Sequence, residues 1–144
     1  MRKIVFTRPD GGLSVLHPVW NSAGETLTTA EEIERRAWNK LPTDAINPHF
    51  VDEADVPSDR AFRNAWTHDL TVDFPKAQAI TKERLRLDRK PLLEAQDVLF
   101  QRALETGKDA TAIVVEKQRL RDVTKLVDAA TTLDALKKLE AAHG

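Results

Sequence analysis

Apolar residues along this chain change their spacing from segment to segment, and each change marks an element. Residues 3–8 (KIVFTR) and 13–17 (LSVLH) are short β-branched and aromatic runs on either side of PDGG. That pattern predicts a β-hairpin: Pro9 fixes φ for a turn, and Gly11 and Gly12 supply positive φ, so the strands reverse within a few residues. Pro18 has no N–H to give the ladder and ends the second strand.

The spacing then turns helical in TLTTAEEIERRAWNKLP, residues 26–42. Thr29 with Glu32 reads as a capping box, acids crowd the first turn, basic residues gather toward the end, and Pro42 closes the helix. Ala30, Ile33, Ala37 and Leu41 share one face. HFVDE, residues 49–53, predicts a third strand, which gives a ββαβ module with a helix on one face of a small antiparallel sheet. The acidic stretch ending at Pro57 is the expected boundary of this module, residues 1–57.

Residues 58–74 are expected to connect the halves, through a short helical turn carrying Phe62 and Trp66 and an extended piece, LTVDF. From Pro75, suited to the first helical position, good helix formers dominate and no glycine occurs until Gly107. Leu85, Leu92 and Leu99 recur every seven residues with Ala95 and Ala103 beside them, a short coiled-coil-like seam, and Ile80 and Leu87 begin a neighbouring stripe. Pro91 is expected to bend or interrupt this helix, since it removes a backbone bond and disfavours helical geometry at Lys90. Gly107 is placed to stop it and to fold back a second helix over residues 110–123. A last helix begins at a cap near Thr132 and carries Leu133, Leu136 and Leu139. The expectation is an α+β protein whose residues 75–144 form a helical hairpin with a terminal helix.

Composition narrows the function classes. With 144 residues the chain can bury a core, and 22 basic against 23 acidic residues leave a formal charge of −1, so no global field attracts nucleic acid or anionic lipid. The absence of cysteine rules out disulfides, a thiolate nucleophile and a cysteine-based zinc site, and suits a reducing compartment. No apolar run approaches the roughly 20 residues of a membrane span, and MRKIVFTRPDGG does not read as a signal peptide, so a soluble, uncleaved chain is expected.

Candidate chemistry is sparse. KERLRLDRKP, residues 82–91, holds five basic and two acidic residues. Arg84, Arg86 and Arg89 are the residues that would neutralise phosphates, but the interrupting acids and the lack of aromatics between Phe74 and Phe100 favour a solvated helix face over a nucleic-acid rod. His17, His49, His68 and His143 stand alone, without metal-ligand spacing. His68, Asp69 and Asp73 would need to converge in space to form a site, and Asp52, Glu53 and Asp55 lack the DxDxDG order of a calcium loop. No serine sits in a GxSxG elbow, and the paired glycines belong to the hairpin. No catalytic, cofactor-binding or metal-binding residue is therefore assigned, and no cofactor is expected. Most aromatic residues are expected in the core of the N-terminal module. Trp20 and Trp66, on irregular segments, are the expected interface anchors, together with the seam Leu85, Leu92 and Leu99.

Four stretches carry a resemblance: IVFTRPDGGLSVLHP, VDEADVPSDRAFRNAW, VDFPKAQAITKERLRLDRKPLLEAQDVLFQRALETG and EKQRLRDVTKLVDAATTLDALKKL. Together they cover nearly the whole chain and resemble small proteins of tailed phages and prophages. LRDVT with AATTLDALKKL is also similar to the ends of some tail-fibre assembly proteins. The resemblance implies a non-enzymatic virion protein that contacts other phage structural proteins of the tail or fibre attachment as a homo-oligomer or symmetric assembly. The alternative it implies is a tail-fibre assembly chaperone absent from the mature particle.

Overall fold

The computed structural model describes residues 1–19 and 29–142, and the chain forms two compact units, Met1–Asp73 and Phe74–Gly144. The fold class is α+β, with a three-stranded antiparallel sheet in the first unit and, among the described residues, helices alone in the second.

In the first unit, strands β1 (Lys3–Thr7), β2 (Leu13–Leu16) and β3 (Ile46–Val51) lie in the order β2-β1-β3. The hairpin joining β1 to β2 forms as its turn residues require. Gly11 has φ 82 and donates to the Arg8 carbonyl at 2.9 Å, the Arg8 N–H donates to the Gly12 carbonyl at 2.7 Å, and Asp10 Oδ1 accepts from the Gly12 N–H at 2.8 Å. Only Gly11 needs positive φ; Gly12 is tight for another reason, because a Cβ there would run into the Arg8 guanidinium. Hydrogen bonds from the Gly12 amide and from Arg8 hold the Asp10 carboxyl below its ordinary pKa.

β3 begins earlier than HFVDE suggests. Asn47, with φ 49, and Pro48 sit where the register between β1 and β3 slips between Val5 and Thr7, so a bulge takes up the Asn-Pro pair. Proline is tolerated there because β3 is an edge strand and one side of it needs no ladder bond.

Alternation sorts the sheet into two faces. Ile4 pairs with Phe50 and Leu16 on the side of helix α1 (Ala30–Asn39), whose Ile33 and Ala37 are buried. The α1 start is capped as expected, with Thr29 Oγ1 accepting from the Glu32 N–H at 3.2 Å. Val5, Leu13, Val15 and Val51 point to the opposite face, where they pack with Trp66, Val56, Leu70 and Val72. Residues 58–73 are thus a second layer on the sheet and not a free connector. Trp66 and Val72 form a β-bridge around a turn in which the Thr67 N–H donates to the Thr71 carbonyl at 2.8 Å. Leu70 holds a left-handed φ of 60 in that turn, a costly geometry for a branched side chain. Its half-buried packing on the Val5, Leu13 and Trp66 cluster offsets the cost.

The second unit is built on α2 (Phe74–Thr106), against which pack α3 (Thr111–Asp122), α4 (Lys125–Ala129) and α5 (Leu133–Lys138). α2 starts at Phe74, one residue before the proline, so LTVDF does not run through as a strand. It also continues through Pro91, so of the two expected effects of that proline the interruption does not occur. Pro91 and Leu87, whose carbonyl loses its partner, are both exposed, so water can take the place of the missing N–H. α2 ends as predicted at Gly107, φ 64, with Lys108 N–H donating to Ala103 O at 2.9 Å and Gly107 N–H to Leu104 O at 3.4 Å, a Schellman arrangement. α3 then runs antiparallel, its Lys117 meeting Asp97 at 2.6 Å and lying 4.9 Å from the Phe100 ring centre. The short α4, centred on buried Val127, is an extra turn beyond the expected elements. Thr132 caps α5 by accepting from the Ala135 N–H at 3.1 Å.

Candidate protein-interaction site

The basic stretch of α2 is largely occupied within its own unit. Helix ends leave carbonyls without intrahelical donors, and guanidinium groups suit them in both hydrogen bonding and charge. Arg84 Nη2 donates to Leu136 O at 3.2 Å and Leu139 O at 2.7 Å at the end of α5. Arg89 Nη1 donates to Leu120 O at 3.4 Å and Arg121 O at 2.6 Å at the end of α3. Lys82 meets Asp128 of α4 at 2.6 Å, and Arg86 meets Glu83 at 3.2 Å. KERLRLDRKP therefore ties three short helices to a long one.

The sequence-derived interface residues separate into distinct cases. Trp20 lies outside the described residues. Trp66 is 3 % exposed and packed with Val5 and Leu13, so the indole expected to anchor a partner instead fills the core of its own unit. Leu85 is fully buried, Leu92 is half-buried, and Leu99 is 45 % exposed. The seven-residue repeat is thus not one seam. A helix of 3.6 residues per turn drifts about 20° per heptad, and the buried stripe of α2 passes from Ala77, Thr81 and Leu85 to Ala103 while Leu99 rotates out.

His68 Nε2 lies 3.1 Å from Asp69 Oδ1 in the exposed turn. A shallow cavity of about 370 Å³ also brings His49 and Asp55 to its walls. Among the described residues no three His, Cys, Asp or Glu side chains are grouped so as to hold a metal ion. Asp52, Glu53 and Asp55 lie around a short 3-10 turn, with Glu53 paired to Lys3 at 3.2 Å.

Sequence reasoning missed the most developed surface of the first unit. Trp38, expected in the core, is 36 % exposed and stacks on Phe50 with ring centres 5.0 Å apart. The Arg2 guanidinium lies 4.4 Å from the centre of the Phe50 ring. Glu34, buried in α1, fixes that arginine: its Oε1 accepts from the Arg2 backbone N–H at 2.8 Å, and its Oε2 accepts from Nε at 3.1 Å and Nη2 at 2.7 Å. These bonds hold the Glu34 carboxyl below its usual range and raise Arg2 above its own. With Glu31 and Arg35 the four residues line an open groove of about 340 Å³. Its floor is aromatic and its rim charged, the composition that protein contacts favour at their centre. The only signal in sequence was Glu34 and Trp38 one helical turn apart; nothing local told that Arg2 and Phe50 would join them.

In the second unit, seven of the ten exposed large hydrophobic residues among those described are found, including Leu87, Val98, Leu104 and Val115. Among the described residues no helix is long and apolar enough to cross a membrane. Comparisons with models of protein families, with curated proteins and with solved structures give no match.

Proposed function

We propose that this chain acts by protein–protein contact, as a small non-enzymatic structural or adaptor subunit of a tailed-phage particle, in the tail or fibre-attachment region. The observation that carries the contact role is the pair of exposed apolar surfaces on separately folded units: the Trp38–Phe50 groove on one and the leucines and valines on the other. Two such surfaces let one subunit engage two neighbours. The phage setting comes from the resemblance in sequence. Similarity of LRDVT and AATTLDALKKL to the ends of fibre-assembly proteins supports the second reading, a chaperone that leaves before the particle matures.

Mass spectrometry of particles and of assembly intermediates, produced with the wild-type chain and with Trp38→Ala, tests this. A fixed copy number in mature particles, lowered by the substitution, is the expected result. Presence in intermediates alone selects the chaperone. Absence from both ends the phage reading.

A further inference from the structure

We propose that the exposed stripe of α2 is a self-complementary surface on which a second copy of this chain docks antiparallel across a two-fold axis. This deepens the reading of the protein as a contact subunit by naming one partner.

Glu83, Leu87, Lys90, Glu94, Val98 and Arg102 follow one another at spacings of three or four residues, which places them in one stripe that turns by about 100° around the helix from end to end. All six are exposed, Leu87 by 66 % and Val98 by 48 %. Read forward, the line is acid, apolar, base, acid, apolar, base. Read backward it is base, apolar, acid, base, apolar, acid. Laid against itself in reverse, every position therefore meets its complement: Glu83 meets Arg102 of the other copy, Leu87 meets Val98, and Lys90 meets Glu94.

One register satisfies the pairs together, with the axis passing between residues 92 and 93. Glu83 with Arg102 and Leu87 with Val98 are centred there, and Lys90 with Glu94 is displaced by half a residue, well within the reach of a lysine. A parallel pairing instead sets identical charges opposite one another and loses these matches. An interface is isologous when one patch serves both copies, and this stripe has that property. Its Glu83 carboxylate already lies beside Arg86 at 3.2 Å, an exposed neighbour that leaves room for a second cation. The stripe is about 30 Å long and one side chain wide, so the area is below the roughly 800 Å² per partner of a stable complex and the dimer is weak and concentration-dependent.

The chain has no cysteine, which allows a disulfide test without background. Two variants, Leu87→Cys and Val98→Cys, are oxidised separately and mixed, at high micromolar concentration, with circular dichroism confirming that both fold. In the proposed register residue 87 of one copy faces residue 98 of the other, while two copies of residue 87, or of residue 98, are about 16 Å apart, too far to bridge. A linked dimer in the mixture and little in either variant alone is expected. No linked dimer, or equal yields in all three samples, overturns the proposal. Sedimentation supplies a second measurement: Glu83→Arg should lower self-association severalfold, and adding Arg102→Glu should restore it. A charge swap that fails to restore association refutes the register. Both tests use the isolated chain, so a dimer that never enters particles removes only the phage reading, and a monomer that does enter them removes only this one.

Discussion

Truncating the three leucines of the seven-residue repeat one at a time distinguishes a coiled-coil seam from the drifting stripe that α2 presents. Leu85 has no exposure and lies on the face shared by Ala77 and Thr81. Leu85→Ala removes apolar area worth about 2 kcal/mol on transfer, and the cavity left at this fully buried position raises the loss to about 3 kcal/mol. Leu99 is 45 % exposed, so its alanine variant opens no enclosed space. It forfeits about 0.5–1 kcal/mol of partial burial. Leu92, half-buried, falls between. Urea titration followed by far-ultraviolet circular dichroism measures this, because among the described α-helices only the ten residues of α1 lie outside the second unit. With a urea slope of roughly 1–1.5 kcal/mol/M for a unit of this size, Leu85→Ala should lower the midpoint by about 2–3 M and Leu99→Ala by about 0.3–1 M. Equal shifts at all three positions would show that the repeat packs as one seam, and the stripe drawn from burial would be wrong.

Three further outcomes follow from the same geometry. Because bonds from Arg2 depress the Glu34 pKa, its contribution is complete above the ordinary value of 4.5 and is lost as pH falls through the lower folded value. Glu34→Gln should therefore be less stable than wild type at pH 7 and show a flatter decline below pH 4.5; parallel declines in acid-dependent melting would contradict that. At Leu70 the usual preference for alanine over glycine should reverse, since both lose the same packing but only alanine keeps the cost of φ 60; a thermal melt in which Leu70→Ala outlasts Leu70→Gly refutes it. Gly107→Ala should destabilise the second unit by about 1 kcal/mol, an effect of φ alone because a Cβ there meets nothing within 4 Å; a chemical melt indistinguishable from wild type would contradict it.

Elements whose signals are local were legible in the sequence: the PDGG hairpin, the Thr29 and Thr132 caps, and the stop at Gly107 each depend on residues a few positions apart. The misreadings share a different cause. The third strand reads as starting at His49 because the bulge that admits Asn47 and Pro48 exists only once Phe6 lies opposite, which a linear reading does not contain. Trp66 reads as an exposed loop residue until the sheet beneath it is formed, and Trp38 reads as core until Phe50 brings it to the surface. The basic run at residues 82–91 reads as a charged face because the carbonyls that receive Arg84 and Arg89 lie some thirty to fifty-five positions later. At Pro91 the helix continues where interruption was one expected effect, since solvent can supply what the proline withholds.

Arg84 and Arg89 make the last third of the chain conditional on its middle. α4 and α5, of five and six residues, are far shorter than a helix that persists by itself in water. Their integrity is borrowed from a rod made earlier in the sequence, through Arg84 at the end of α5 and Lys82 beside Asp128 of α4, contacts that exist only when that rod is already wound. During synthesis the C-terminal segment should therefore stay uncommitted until α2 has formed, and in the finished protein any fraying of the rod would surface first as protease cleavage near Leu139.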